Sequence, residues 1–315
     1  MKSDQSIIAS YPSVIASDPS VIIGADAGGS TLEVKCLIGS ETFSTTTTSV
    51  NVRNIDPKAF AQHVAETIEK LLPVGARKDR IQFCLGAAGA GSPSFQDSLS
   101  RMLIDRWGVT ADRILVVTDA RIALEAAFGS TPGIIVIAGT GSGCYGLSPG
   151  GDMIRAGGWG REIGDPGSGT AIGFDAVRGL LTELETQALT PLGISTAVEL
   201  NLPNPTVALV LEAVYAGDLR VASLAPLVLK LLGSGDRVAE SIVAKQCAQL
   251  ADQCLRLAQR VSPVAQHIAL IGGLTRSDSF VSLLSDALRK VLPDASVKRS
   301  HREPVEGAVD LARRL

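Results

Sequence analysis

The strongest constraint on the fold is a pattern that occurs twice, about half a chain apart. At residues 21–31 the apolar run "VIIGADAGGST" ends in an acid, two adjacent glycines, a serine and a threonine. At 134–144 the run "IIVIAGTGSGC" ends in glycines separated by hydroxyl residues. Two further strand-like stretches follow each run. The repetition therefore predicts two similar α/β units, each opening with a triplet of strands.

Strands alternate with amphipathic helices after each triplet. The first half is predicted as three strands followed by helix, strand, helix, strand and helix, and the second half restarts near residue 133. A later strand, "HIALIGG", precedes two final helices. Between the second triplet and that strand, helical patterns dominate 171–185, 205–216, 220–232 and 236–260. The alternation predicts mixed sheets flanked by helices, with a ligand cleft between two domains.

The length of 315 residues also favours two domains. We expect residues 1–20 to be a flexible extension, 21–118 the N-terminal domain and 119–303 the C-terminal domain. A helix at 304–315 is expected to pack back toward the N-terminal domain.

The charge balance excludes some classes of partner. With 29 basic and 32 acidic residues the net charge is −3, which gives no electrostatic reason to bind nucleic acid or an acidic membrane. No apolar run approaches the roughly 18 residues of a membrane helix, and the N-terminus is a poor signal peptide, so a cytoplasmic location is expected.

The first glycine turn has the chemistry of a phosphate site. Gly28 and Gly29 expose backbone N–H groups without a Cβ in the way, and Ser30 and Thr31 add hydroxyl donors. Asp26 is placed to hold Mg²⁺ through a water molecule. A plain hairpin turn explains the same residues, so this stretch by itself leaves both readings open.

The second glycine turn repeats that chemistry, which makes coincidence a weaker explanation. A third pair of glycines follows a later strand and precedes a helix, where a flat base could lie against the backbone, although a tight turn capped by Ser277 or Asp278 is the simpler explanation. The residues assigned to these two nucleotide contacts are Gly139, Thr140, Gly141, Ser142, Gly272 and Gly273.

The stretch "GGWGREIGDPGSG" at 157–169 contains six glycines in thirteen residues, with Trp159 and Asp165 between them. A core segment rarely uses glycine so freely, and a disordered linker rarely carries tryptophan and isoleucine. The composition favours an ordered loop that approaches a ligand closely, in which Asp165 accepts sugar hydroxyls. A purely structural loop is the alternative.

Two further polar residues follow strands. Asp119 lies between a buried strand and a helix, where it fits both a helix N-cap and a base that acts on an alcohol. Asn51 follows the third strand and is either a turn residue or a hydroxyl ligand.

Taken together, these stretches resemble the N-acetylglucosamine kinase and glucosamine kinase group, which is similar to the benzoyl-CoA-reductase-activating ATPases. The group lies within the superfamily of actin-like, Hsp70-like and sugar-kinase ATPases. The resemblance runs from about residue 21 and includes both glycine turns, the "TDA" aspartate, the 157–169 loop and the "IGG" turn. It implies two ribonuclease H-like domains. It also implies transfer of phosphate from ATP, with Mg²⁺, to an amino sugar, most often at the 6-hydroxyl of N-acetylglucosamine.

The resemblance also implies roles for individual residues. Asp119 is the expected catalytic base, and a homodimer is expected because the family often forms one. The expected sugar contacts are Asn51, Thr140, Gly158, Trp159, Gly160 and Asp165. The sequence departs from the family pattern at Ala27 and Pro166, which leaves the choice of amino sugar open.

Two alternatives remain at this stage. The first is a glucosamine kinase. The second is an ATPase that activates a two-electron reductase or dehydratase, which would need a cysteine pair for a shared iron–sulfur cluster. The five cysteines include no C-x-x-C pair, which disfavours the second alternative.

Overall fold

The computed structural model describes residues 20–28, 31–48, 56–160, 162–216, 221–261 and 267–315. The chain divides into two compact units, one made of Met1–Ile122 with Ala308–Leu315 and the other of Ala123–Gly307. The expected extension at 1–20 lies, except for Ser20, outside the described residues, and the domain limits stay predictions. No helix in the described ranges is long and apolar enough to cross a membrane.

The first unit contains a five-stranded mixed sheet in the order β3-β2-β1-β4-β5. The first three strands are antiparallel, whereas β1, β4 and β5 are parallel. The strands are β1 (Val21–Ala27), β2 (Thr31–Ile38), β3 (Glu41–Thr48), β4 (Ile81–Ala87) and β5 (Ile114–Thr118). The helices that follow β3, β4 and β5 are α1 (Pro57–Leu71), α2 (Pro93–Trp107) and α3 (Asp119–Phe128).

The helices of the first unit cover the sheet with apolar faces. In α1, Phe60, Val64 and Ile68 recur every four residues and are fully buried, which places them on one side of the helix. The ring of Trp107 in α2 packs edge-to-face on Phe83 of β4, with 5.4 Å between centroids.

The second unit repeats the strand order of the first. From the β8 edge its sheet runs β8-β7-β6-β9-β10, so the third, second, first, fourth and fifth strands of the unit again lie side by side in that order. The strands are β6 (Ile134–Ala138), β7 (Ser142–Leu147), β8 (Met153–Gly157), β9 (His267–Ile271) and β10 (Ser296–Arg299). The predicted pair of mixed sheets flanked by helices is therefore confirmed.

Most of the helices lie in the second unit. The longest, α8, begins after Asp236, whose carboxylate accepts the N–H groups of Val238 and Ala239. The last helix returns to the first unit, where Ala308, Leu311 and Ala312 pack with Cys84 and Ile122. These helices are α4 (Gly169–Thr186), α5 (Pro191–Glu199), α6 (Val207–Tyr215), α7 (Ala225–Gly233), α8 (Arg237–Ala258), α9 (Asp278–Val291) and α10 (Pro304–Ala312).

Three details differ from the sequence-based prediction. The helix predicted at 220–232 begins as a 3₁₀ turn, Val221–Leu224, before α7. Helix α5 was not predicted, although its cap is visible in the sequence as Thr190, whose hydroxyl accepts the N–H of Gly193. Strand β10 was also missed, because its short sequence, "SVKR", carries two cations, as edge strands often do.

Candidate functional site

The second glycine turn is held in place by the start of α4. The amide of Gly169 donates to the carbonyl of Gly139 (2.7 Å), and both the amide and the hydroxyl of Thr170 donate to the carbonyl of Thr140 (3.2 and 2.8 Å). Both carbonyls therefore face the helix. Within the described residues, the amides of Thr140 and Gly141 have no hydrogen-bond partner. Two adjacent free amides form a small anion-binding surface, as phosphate oxygens require.

Ser142, which was assigned to the same turn, is the first residue of β7. Its hydroxyl donates to the carbonyl of Pro166 at 2.6 Å, and the residue is buried. The hydroxyl hydrogen is thus used to join the turn to the 157–169 loop. A contact between Ser142 and a nucleotide stays a prediction.

The third glycine pair lies beside this turn because β6 and β9 are parallel neighbours and end at the same edge. Gly272 has φ 110°, and a Cβ at this position would collide with the carbonyl of Ala138. Only glycine allows β9 to approach β6 this closely. A Cβ built on Gly139 would lie 3.9 Å from the amide nitrogen of Gly273, so the two turns are in contact distance.

A cavity of about 630 Å³ opens at this point of the second unit. The glycine turns contribute Gly139, Thr140 and Gly273, and α7 contributes an apolar wall that includes Pro226 and Leu229. A nucleotide combines a flat apolar ring with an anionic tail, so the cavity suits a nucleotide whose phosphates point toward the second glycine turn.

The 157–169 loop is ordered, and its glycines have a conformational reason. Five of the six adopt positive φ, which other residues rarely do: Gly157, Gly158, Gly160, Gly164 and Gly167. The side chain of Trp159 is 56 % exposed and is available to a ligand.

Asp165 connects this loop to the second glycine turn. The residue is only 7 % exposed, and its Oδ1 accepts the amide of Gly160 at 3.0 Å. Its Oδ2 lies 2.8 Å from the position that a Cβ of Gly141 would occupy. The structure thus brings a carboxylate oxygen next to the candidate phosphate turn, where it can accept hydroxyl hydrogens.

A buried polar network supports the loop from behind, and sequence reasoning missed it. Gln246 of α8 accepts the amide of Gly167 at 3.0 Å and donates to Asp175 of α4 at 2.6 Å. The carboxylate of Asp175 also forms ion pairs with Lys245 and Arg178. Burial by itself would raise the pKa of Asp175, but the hydrogen bonds from Gln246, Lys245 and Arg178 outweigh it and hold that pKa below its ordinary value. A glutamine on the apolar face of α8 was the available signal.

The candidate residues of the first unit lie at one edge of its sheet. Asp26 is the sixth residue of β1, and Gly28 closes a hairpin turn by donating to the carbonyl of Thr31 at 2.9 Å. Asp119 follows β5 at the same edge, because β1, β4 and β5 are parallel. Since one strand separates β1 from β5, the backbone of Asp26 is about 10 Å from that of Val117, which is level with it in the sheet, and Asp119 lies two residues beyond Val117.

One interpretation of the sequence made Asp119 the N-cap of α3. In the structure Asp119 lies within the helix instead. The hydroxyl of Thr118 accepts the amide of Arg121 at 3.3 Å and acts as the cap. Asp119 is the first helical residue, is half-buried, and its Oδ1 accepts the amide of Ala120 at 2.9 Å.

Three of the assigned residues, Gly29, Ser30 and Asn51, lie outside the described residues. Across the described part of the chain, no group of three or more His, Cys, Asp or Glu side chains could hold a metal ion. All five cysteines are described, and each is a buried free thiol.

The fold defines the class of protein first. A crystal structure from Chromobacterium violaceum, whose protein carries a provisional N-acetylglucosamine kinase name, superposes with a TM-score of 0.72. It is 22 % identical and covers 93 % of this chain and 99 % of its own. The two-unit architecture is thus that of the sugar kinases and actin-like ATPases. More particularly, the chain belongs to the BadF/BadG/BcrA/BcrD ATPase family, whose sequence profile matches residues 23–312.

Two relatives that carry kinase names are similar to this chain in sequence. An N-acetylmuramic acid/N-acetylglucosamine kinase of Clostridium acetobutylicum is 35 % identical over 177 residues, which cover 52 % of this chain and 54 % of that protein. The chain therefore spans about half the length of this relative. An N-acetyl-D-glucosamine kinase of Dictyostelium discoideum is 23 % identical over 93 % of this chain and 97 % of its own.

Proposed function

We propose that the protein transfers the γ-phosphoryl group of ATP to an amino sugar, and that the acceptor is the 6-hydroxyl of N-acetylglucosamine. The observation that carries the proposal is the contact between the second glycine turn and Asp165. The free amides of Thr140 and Gly141 suit phosphate oxygens, and the Oδ2 of Asp165 suits sugar hydroxyls. A phosphoryl donor and an alcohol acceptor would thus lie side by side, as direct transfer requires.

The two named relatives support the choice of acceptor, since both carry N-acetylglucosamine in their names. The remaining expected sugar contacts are Gly158, Gly160 and Trp159, of which Trp159 offers an exposed ring to a sugar face. Asn51 is proposed as a further contact.

Nucleotide binding is assigned to the cavity between the glycine turns and α7. In the first unit, Asp26, with Gly28 and Thr31 nearby, is proposed to hold Mg²⁺ through water, together with Gly29 and Ser30 at the phosphates. The ion would neutralise charge on the β- and γ-phosphates. A homodimer and a cytoplasmic location stay expectations.

Asp119 is proposed as the base. A sugar hydroxyl is a poor nucleophile near neutral pH, so a carboxylate within roughly 3 Å would take its proton as the oxygen attacks the γ-phosphorus. The proton moves to the carboxylate, the new O–P bond forms, and the bond to the β-phosphate oxygen breaks to leave ADP. Asp165 holds the sugar but takes no proton in this scheme.

The ATPase-activator alternative is less well supported. It needs cysteine thiolates that reach a shared metal cluster, whereas Cys36, Cys84, Cys144, Cys247 and Cys254 are all fully buried. Burial also raises the pKa of Cys36 and Cys247 to about 12, which keeps both thiols protonated at neutral pH.

A coupled assay of ADP release tests the proposal. The acceptors are N-acetylglucosamine, glucosamine, N-acetylmuramate and glucose, each at several concentrations with ATP and Mg²⁺. We expect the highest kcat/KM for N-acetylglucosamine. A rate equal to that without sugar for all four acceptors would contradict the proposal, and a preference for glucosamine would replace the acceptor.

A further inference from the structure

The cavity of the second unit has chemically different ends. At one end Gly139, Gly169, Ala225 and Gly273 crowd together: a Cβ on Gly169 would lie 3.3 Å from the carbonyl oxygen of Gly139 and 3.4 Å from the Cβ of Ala225. The side-chain-poor end is therefore the phosphate end. It lies beside the free amides of the second glycine turn.

Two cationic side chains, those of Lys230 and Arg276, line the other end of the cavity. Lys230 follows Ala225 by five residues along α7, a rise of about 7.5 Å. Arg276 follows Gly273 by three residues in a 3₁₀ turn, a rise of about 6 Å. Both residues line the cavity and are exposed. Their distance from the glycine end places them where the base or ribose of a nucleotide would lie.

Among the described residues, neither cation, Lys230 or Arg276, has a carboxylate partner within ion-pair distance. Between them and the glycine end the walls are apolar, with Pro226, Leu229 and Leu274 as the larger side chains. A flat purine ring fits between such walls, and its outer edge would meet the two cations.

The charged side chains at that edge can only donate hydrogen bonds. Lys and Arg side chains have no acceptor. Ser277, the remaining hydroxyl at this end, already accepts the amide of Phe280. The described lining residues include no Asp, Glu, Asn, Gln or His. Adenine presents a 6-amino donor beside its N7 acceptor, whereas guanine and hypoxanthine present two acceptors, O6 and N7, side by side, which suits a pair of cationic donors better.

We propose that this cavity does not select adenine, and that it accepts 6-oxopurine nucleotides, those of inosine and guanosine, at least as well. Lys230 and Arg276 are then the residues that set base specificity. The inference rests on the proposed function in one respect, the placement of the nucleotide in this cavity.

Calorimetric titration of the full chain with ADP, IDP and GDP, without sugar, tests the inference. IDP is the sharpest probe because it lacks the 2-amino group of guanine. We expect the Kd of IDP to equal that of ADP within about threefold or to be lower. In the double variant Lys230→Met with Arg276→Met, IDP should weaken by about tenfold and ADP by much less, because only the 6-oxo group loses a charged partner.

Lys290→Met is the matched control, since Lys290 is an exposed lysine in the last turn of α9 and does not line the cavity. It should change neither affinity. ADP binding more than about threefold tighter than IDP, or equal losses for both nucleotides in the double variant, would overturn the inference and leave the proposed function standing. Failure of all three nucleotides to bind would instead remove the nucleotide site on which both depend.

Discussion

The two units share one strand order but differ in the connection between their third and fourth strands. In the first unit the described part of that connection contains α1 and the short 3₁₀ turn Lys78–Arg80. In the second unit it contains α4 to α8, from Gly169 to Ala258. The same sheet has therefore been extended by a helical insertion in one copy and left plain in the other.

The insertion supplies most of the described features of the proposed binding site. Thr170 of α4 orients the second glycine turn, α7 forms a wall of the cavity, and Gln246 of α8 supports the 157–169 loop. The first unit contributes a sheet edge with two carboxylates, Asp26 and Asp119. Both units thus have the same sheet, but only the second has additional helices beside its candidate site. Changes in the two units should therefore have different kinetic signatures.

The largest expected effect concerns the first unit, which lacks the inserted helices. Asp119→Asn should lower kcat by about 10²–10⁴-fold, because the sugar hydroxyl loses its base. The affinity for ADP, measured by calorimetry, should stay within about twofold, since the cavity proposed for the nucleotide is lined by residues of the second unit. Asp105→Asn, at an exposed position of α2, is the control. A near-normal kcat in Asp119→Asn would remove this residue from the base role.

The next effect concerns the second unit. Gly272→Ala should destabilise the protein by about 3 kcal/mol and abolish tight ADP binding, because the new Cβ meets the Ala138 carbonyl at a backbone angle that only glycine favours. Thermal unfolding and calorimetry measure the two effects. Gly179→Ala in α4, where a Cβ has open space, should be neutral or slightly stabilising. Equal behaviour of the two variants would contradict the geometry at Gly272.

A smaller effect is expected from a substitution that changes the orientation of the second glycine turn without destabilising the protein. Thr170→Val keeps the side-chain shape but removes the hydroxyl bond to the Thr140 carbonyl, so ADP affinity should fall by about fivefold, or about 1 kcal/mol. Thr186→Val is the control in the same helix, because that hydroxyl bonds only carbonyls of its own turn. If both variants bind ADP as the wild type does, the hydroxyl of Thr170 does not orient the turn.

The smallest expected effect concerns Glu69 of the first unit, which joins α1 to α2. Its carboxylate forms a bidentate ion pair with Arg106 and accepts a hydrogen bond from the indole N–H of Trp107. The hydrogen bond from Arg106 chiefly holds the pKa of Glu69 below its ordinary 4.5. Glu69→Gln should therefore cost about 0.5–1 kcal/mol at pH 7.

The pH dependence checks the cause. Because the folded pKa is lowered, the stabilisation is present above pH 4.5 and is lost as the pH falls through the folded pKa. Urea unfolding of wild type and variant should converge at low pH and differ at pH 7, with kcat unchanged. Asp286→Asn, from a pair whose side chains are both more than half exposed, should show no such difference.

Much of the fold followed from local sequence patterns. The paired glycine turns predicted the duplicated sheets, since glycine is required where parallel strands end close together, as Gly272 and Ala138 show. The same reasoning located the ordered 157–169 loop, where positive φ angles explain the glycines. Residues that contact neighbours close in sequence or along one sheet edge were thus recoverable.

The supporting network was not recoverable in the same way. Gln246 and Asp175 lie 71 positions apart, and nothing local to either residue states that they meet. The bond between Ser142 and Pro166 likewise joins segments 24 positions apart and gives the hydroxyl a structural use that the turn pattern did not reveal. Long-range pairing depends on how α4 and α8 pack, which periodicity does not specify.

The most direct test of phosphoryl transfer is mass spectrometry of the products formed from ATP and N-acetylglucosamine in ¹⁸O-labelled water. The account predicts one sugar phosphate for each ADP, with no ¹⁸O in the phosphate, because the sugar oxygen attacks the γ-phosphorus. Inorganic phosphate carrying ¹⁸O, with no sugar phosphate formed, would identify water as the acceptor and contradict the account.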